Sequence, residues 1–270
     1  MASVDPKNVQ RIASLAQRVL IIDPQPQSAR LLSELLRDHV RSQTWTAPTA
    51  AKALAVVDNL NPQIIFVEMS APEVDGCAFT RTLRRSHLRS RKIPVIMMTA
   101  TATAAGILAA RDAGVHEFLR KPFTTKDVLL RLEAVTLKPR DWVEAVAYVG
   151  PDRRRFNSAE YSGSRKRQAD QDKPTDASRM VQALRILKAA VGALERDPQQ
   201  AMRAMKVQTD ELQRIAAASK DVNLAKAVDI LTSYLSAAGQ RLDYAALANS
   251  AGPLLAMLPR DPPRGVVEAA

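Results

Sequence analysis

The sequence predicts an α/β fold, a doubly wound five-stranded parallel sheet, followed by a separate all-α helical bundle. Three observations carry this. Between residues 18 and 137, short continuous apolar runs alternate with stretches of helical period. Such runs suit strands covered on both faces, and regular alternation with helices implies parallel crossovers. The runs end on chemically distinctive residues, so Asp23, Glu68, Thr99 and Lys121 all fall at carboxyl ends of predicted strands, where open α/β sheets place their crevice. From residue 179 onward only helical stripes remain.

Taken in order, residues 1–17 are amphipathic and interrupted by charge, a helical extension without the apolar block of a signal peptide. "RVLIID" (18–23) is the first strand, and "QSARLLSELLRDH" (27–39) aligns Leu31, Leu32, Leu35 and Leu36 on one helical face. "TWTA" (44–47) and "TAAKALAVVDN" (49–59) supply the second strand and helix. "IIFVE" (64–68) is the third strand, with a helix at 77–86. "PVIMMTA" (94–100) is the fourth, its helix (104–114) stopped by Gly114. "HEFLRK" (116–121) is the fifth, and the helix at 124–137 takes Thr124 or Thr125 as its cap.

Composition limits the functional classes. With 46% hydrophobic residues over 270 positions, the chain can bury a sizeable core. Its one cysteine, Cys77, excludes an intramolecular disulfide and a cysteine metal cluster. No run approaches the roughly 18 apolar residues of a membrane span, so a cytoplasmic protein without membrane insertion is expected. A net charge of +11 asks for an anionic partner or a solvated basic surface. The charge gathers at 81–92, with Arg84, Arg85 and Arg89, and in "DRRRF", with Arg153, Arg154 and Arg155. These arginines are the candidate anion-binding residues. No Walker loop, nucleophile elbow or His-Glu-x-x-His occurs, so an enzyme is not expected.

The acid in "LIIDPQP", the loop "APEVDG", the Thr-Ala of "MMTA" and above all "DAGVHEFLRKPF" resemble the receiver domain of response regulators in two-component signalling. The resemblance covers 18–137. It implies an aspartate at the end of the third strand that accepts a phosphoryl group, two acids after the first strand that hold Mg²⁺, and a hydroxyl and a lysine around the phosphoryl oxygens. Thr99 and Lys121 match the last two, and Asp23 matches the first metal acid. Glu68 stands at the acceptor position, and Pro24 at that of the second acid.

Both departures damage one reaction. The extra methylene of Glu68 moves its carboxylate by roughly 1.5 Å, and phosphoryl transfer depends on alignment. Pro24 removes a carboxylate from a site with few to lose. The expectation is a degenerate pocket that needs no Mg²⁺ or other cofactor, in which Glu68 meets Lys121 directly with Thr99 as a nearby donor. A merely structural ion pair in a dead pocket is one alternative, and a residual metal site built on Asp23 and Glu68 is another. Phe118 matches the family's switch aromatic, an ordinary core ring being the other reading. His116, Arg120 and Arg111 are expected on the family's partner surface.

By composition 138–178 is a basic, largely flexible linker, and 260–270 a disordered tail. Between them, residues 179–259 carry four stripes, with Asp197-Pro198 as a helix start and Gly239 and Pro253 as breaks or kinks. Pairing with a second bundle would also bury these stripes, which leaves a homodimer open. His39, His87 and His116 all lie in the first half, so the bundle carries no histidine for phosphotransfer. The whole reads as a non-catalytic signalling adaptor for protein partners of a bacterial pathway. The alternatives are a binder of nucleic acid or cyclic dinucleotides through the arginine clusters, and a receiver phosphorylated at a non-standard residue.

Overall fold

The computed structural model describes residues 5–153, 175–237 and 243–259. The chain divides into two compact units, Met1–Val143 with Tyr148–Lys166 and Glu144–Ala147 with Arg167–Ala270.

The first unit runs α1 (Pro6–Leu15), β1 (Arg18–Ile22), α2 (Pro26–Val40), β2 (Gln43–Ala47), α3 (Ala50–Leu60) and β3 (Ile64–Glu68). It continues with β4 (Ser70–Ala71), β5 (Val74–Asp75), α4 (Gly76–Arg85), a 3₁₀ turn (Arg89–Lys92), β6 (Val95–Thr99), α5 (Ala104–Asp112), β7 (Glu117–Arg120) and α6 (Thr125–Thr136). The sheet is parallel throughout, in the order β2-β1-β3-β6-β7. Strand order therefore reverses between β1 and β3, the switch point beyond whose carboxyl ends open α/β sheets place their sites.

Side-chain alternation sorts the strands into two cores. Leu20, Ile22, Ile65, Val67 and Met97 pack on one face with Phe79, Leu83 and Phe118. Val19, Ile21, Ile64, Phe66 and Ile96 pack on the other with Leu32, Leu36 and Leu132. Ile12 of α1 joins this second core and is fully buried, so the N-terminal extension is part of the unit. Of the two candidate caps for α6, Thr124 is the one used, in a reciprocal capping box with Asp127. The small β4–β5 pair has no counterpart in the sequence reading.

The flexible linker expected over 138–178 is corrected at its start. Trp142–Glu144 (β8) pairs with Val149–Pro151 (β9), and Tyr148 and Val149 are buried. Order here comes from close backbone approach and stacking, which an apolar count does not register. Gly114 has φ +91°, and a Cβ on it would lie 2.5 Å from the Val149 carbonyl oxygen. A Cβ on Gly150 would meet the Gly114 Cα at 2.7 Å. The Tyr148 hydroxyl donates to the Pro151 carbonyl at 2.6 Å, and Arg153 lies 4.5 Å over the Tyr148 ring. The remainder of the linker from 154 to 174, Gly239, and the tail at 260–270 lie outside the described residues.

The second unit contains α7 (Asp176–Gly192), α8 (Pro198–Ser219), α9 (Val222–Ala237) and α10 (Tyr244–Ala256). Its core is built from the predicted stripes, Leu184, Leu187, Met205, Leu212, Leu231 and Leu254 among them. Thr175 and Asp197 cap α7 and α8 through their side chains. Pro253, expected as a break or kink, sits within α10. Glu144 is buried in this unit, where it accepts from Gln200 Nε2 at 2.9 Å on its carboxylate and from Gln208 Nε2 at 3.2 Å on its carbonyl.

Candidate functional site

The carboxyl ends of β1, β3 and β7 bring three of the sequence-predicted residues together. Asp23, 4% exposed, follows β1 and accepts the Gln25 N–H on Oδ1 at 2.9 Å, which fixes its carboxylate at the entry to α2. Its Oδ2 lies 2.7 Å from Lys121 Nζ. Glu68, the last residue of β3 and 8% exposed, accepts the Met69 N–H on Oε1 at 3.2 Å. Its Oε2 lies 2.5 Å from the same ammonium. Lys121 is held from β6, its N–H donating to the Thr99 carbonyl at 2.7 Å.

The "APEVDG" loop folds back on Glu68. β4 and β5 pair, the Gly76 N–H donates to the Met69 carbonyl at 2.9 Å, and Asp75 caps α4 by accepting the Ala78 N–H at 2.8 Å. A Cβ on Gly76 would sit 2.5 Å from the Glu68 carbonyl oxygen, so glycine is required for the loop to pass this close. Burial works against the charged form of Lys121, but the hydrogen bonds it donates to Asp23 and then Glu68 outweigh it, and its pKa rises above 10.5.

Thr99 departs from expectation. Its hydroxyl accepts the Thr101 N–H at 3.1 Å and lies 3.4 Å from the Thr101 carbonyl, so its partners are in its own loop. A divalent ion would draw on Asp23 and Glu68, the two carboxylates that converge here. Both already face the lysine ammonium, which takes the place between them, and Pro24 offers no side-chain donor. The residues present do not fit a Mg²⁺ site.

Phe118 is 3% exposed and belongs to the core beneath α4 and α5. His116, expected on an exposed partner surface, is buried instead. Burial, then the charges of Arg84 and Arg140, push its pKa well below 6.5. Its Nδ1 lies 3.2 Å from Arg84 Nη2 and accepts the Val95 N–H at 3.3 Å. It is therefore neutral, with its proton on Nε2. Arg120 is exposed, and Arg111 pairs with Asp112 at 3.0 Å.

Arg84, named as an anion-binding candidate, is corrected: it is 1% exposed. Its guanidinium donates to the carbonyls of Gly114 (3.0 Å), Arg91 (2.6 Å) and Ile93 (2.9 Å). Burial lowers its pKa to about 9, which leaves it charged at neutral pH. Arg85 and Arg89 are exposed, and Arg153 pairs with Asp112 at 2.9 Å. Arg154 and Arg155 lie outside the described residues. The sequence reading missed Trp142 and Arg140. The Trp142 ring has Arg84 at 5.3 Å, Lys92 at 5.8 Å and Arg91 at 5.9 Å. Arg140 donates to the His116 and Asp152 carbonyls. A lone tryptophan beside an arginine in a polar stretch was the available signal.

Residues 19–133 match the family described as response regulator receiver domain. The chain is 32% identical over 118 residues to the DNA-binding dual master transcriptional regulator RpaA of a Synechocystis strain, covering 44% of this chain and 48% of that protein. It is 26% identical over 121 residues to the DNA-binding response regulator MtrA of Mycolicibacterium smegmatis, 45% of this chain and 51% of that protein. The match to the chemotaxis protein CheY of Pseudomonas aeruginosa, 29% over 118 residues, covers 44% of this chain and 94% of that one. The chain thus spans about half the length of RpaA and MtrA. Among solved structures, a response regulator from Chloroflexus aurantiacus is similar at 22% identity and a TM-score of 0.42, over 45% of this chain and 98% of that one.

Proposed function

Residues 19–133 are a response regulator receiver domain, and we propose that it acts as a pseudo-receiver, a non-catalytic adaptor that binds signalling proteins without aspartyl phosphorylation. One observation carries the reading: Lys121, the cation a phosphoryl group would recruit, already bonds both Glu68 and Asp23. A phosphoryl group arriving here would have to displace Glu68 from the lysine and would lack a prearranged metal to offset its charge. The domain is then fixed in one signalling state, and the Glu68 carboxylate takes over part of the anion's role. Neither Mg²⁺ nor another cofactor is required. The bundle would supply further protein contacts in the same pathway, and the setting is the bacterial cytoplasm.

The reading predicts that chemistry can be restored. The Pro24→Asp/Glu68→Asp variant should take up a phosphoryl group from acetyl phosphate with Mg²⁺, seen by intact mass. If this variant stays unlabelled while retaining the wild-type circular dichroism, those two residues are not what disables the pocket.

A further inference from the structure

We propose a second binding site in the first unit, for a small aromatic anion, in the pocket walled by Trp142. The pocket encloses about 230 Å³. It lies at the amino-terminal edge of the sheet, since Pro94 precedes β6 and His116 precedes β7. This is the edge opposite Lys121.

The lining specifies the ligand. Pro94, Val135 and Pro139 are apolar, and the Trp142 indole adds a flat wall. Lys92, Lys138 and Arg140 stand around them as cations, Arg140 already facing the Glu117 carboxylate at 4.0 Å. Lys92 makes no ion pair among the described residues, its charge lying 5.8 Å over the Trp142 ring. Lys138 pairs with Glu133 at 2.8 Å yet remains 71% exposed, free to turn toward a bound anion. An apolar cavity of about 150 Å³ holds benzene, so this one takes a single ring with one charged substituent. Flat apolar walls favour the ring, and the cations favour a carboxylate or phosphate on it.

The site is this chain's own. Lys138, Pro139, Arg140 and Trp142 all follow the last residue matched to the receiver family, 133. They are placed by the β8–β9 hairpin and by Arg140, whose guanidinium bonds the His116 and Asp152 carbonyls.

Fluorescence of the full chain tests this, in a Trp45→Phe background that leaves Trp142 as the sole reporter. Phenyl phosphate and benzoate are titrated beside benzyl alcohol and inorganic phosphate. At least one aromatic anion should give a saturable change with Kd below about 1 mM, and the stronger of the two identifies the anionic group. Lys92→Ala/Lys138→Ala, at exposed positions, should weaken it about tenfold with circular dichroism unchanged. Ala134→Phe, which fills the pocket, should abolish it. The proposal is overturned if neither anion saturates by about 10 mM, if benzyl alcohol or inorganic phosphate binds as well, or if the lysine variant binds like wild type.

Discussion

Lys121 has two acids within hydrogen-bond reach, and its neighbours decide what its loss would cost. In Lys121→Met the Asp23 and Glu68 carboxylates would face each other, largely buried, without a counter-ion. Exposed ion pairs contribute up to about 1 kcal/mol, and breaking a buried one costs about 3–5 kcal/mol. With the lysine side chain 16% exposed, a loss of about 2 kcal/mol in urea unfolding at pH 8 is expected. The pH dependence has a definite sign. Because the folded value is raised above 10.5, the stabilisation is fully present below the unfolded value and fades as pH rises through the folded one. The gap between wild type and Lys121→Met should therefore hold from pH 8 to about pH 10 and narrow above it. Asp23, Glu68 and Lys121 were legible as a converging set because strand ends share one edge. The partners of Thr99 were not, since hydroxyl rotation depends on a loop whose path the sequence does not specify.

At the scale of elements, β1, β3 and β6 were legible because each is a short apolar run bounded by polar or turn residues. β8 and β9 were not. Their span carries Gly, Pro and charges, and its order comes from a glycine-to-glycine contact between segments far apart in sequence. Arg84 and His116 were misread for a related reason. Both looked polar and therefore exposed, but each is buried among hydrogen-bond partners, carbonyls around Arg84, and Arg84 with the Val95 N–H at His116 Nδ1. Gly114→Ala puts a Cβ against the Val149 carbonyl at a residue with φ +91°. It should cost about 2 kcal/mol in urea unfolding and shift Trp142 emission, since strain and displacement of the hairpin act together. An unchanged midpoint would mean that the hairpin is not seated there.

At the scale of the molecule, a receiver unit and a helical unit each have a complete core of their own. The four helices were readable from their stripes because amphipathic period survives where specific contacts do not. Pro253 does not end α10, because the hydrogen bond a proline costs a helix is outweighed by burial of Leu247, Ala251 and Leu254. The central proposal is that the receiver unit keeps its fold and lacks phospho-acceptor chemistry. The most direct test is to incubate the wild-type chain with acetyl phosphate and Mg²⁺ beside a conventional receiver, and to record the intact masses. The account predicts an unchanged mass for this protein while the conventional receiver is labelled. A phosphoryl adduct on Glu68, or on any other residue of 19–133, would contradict it.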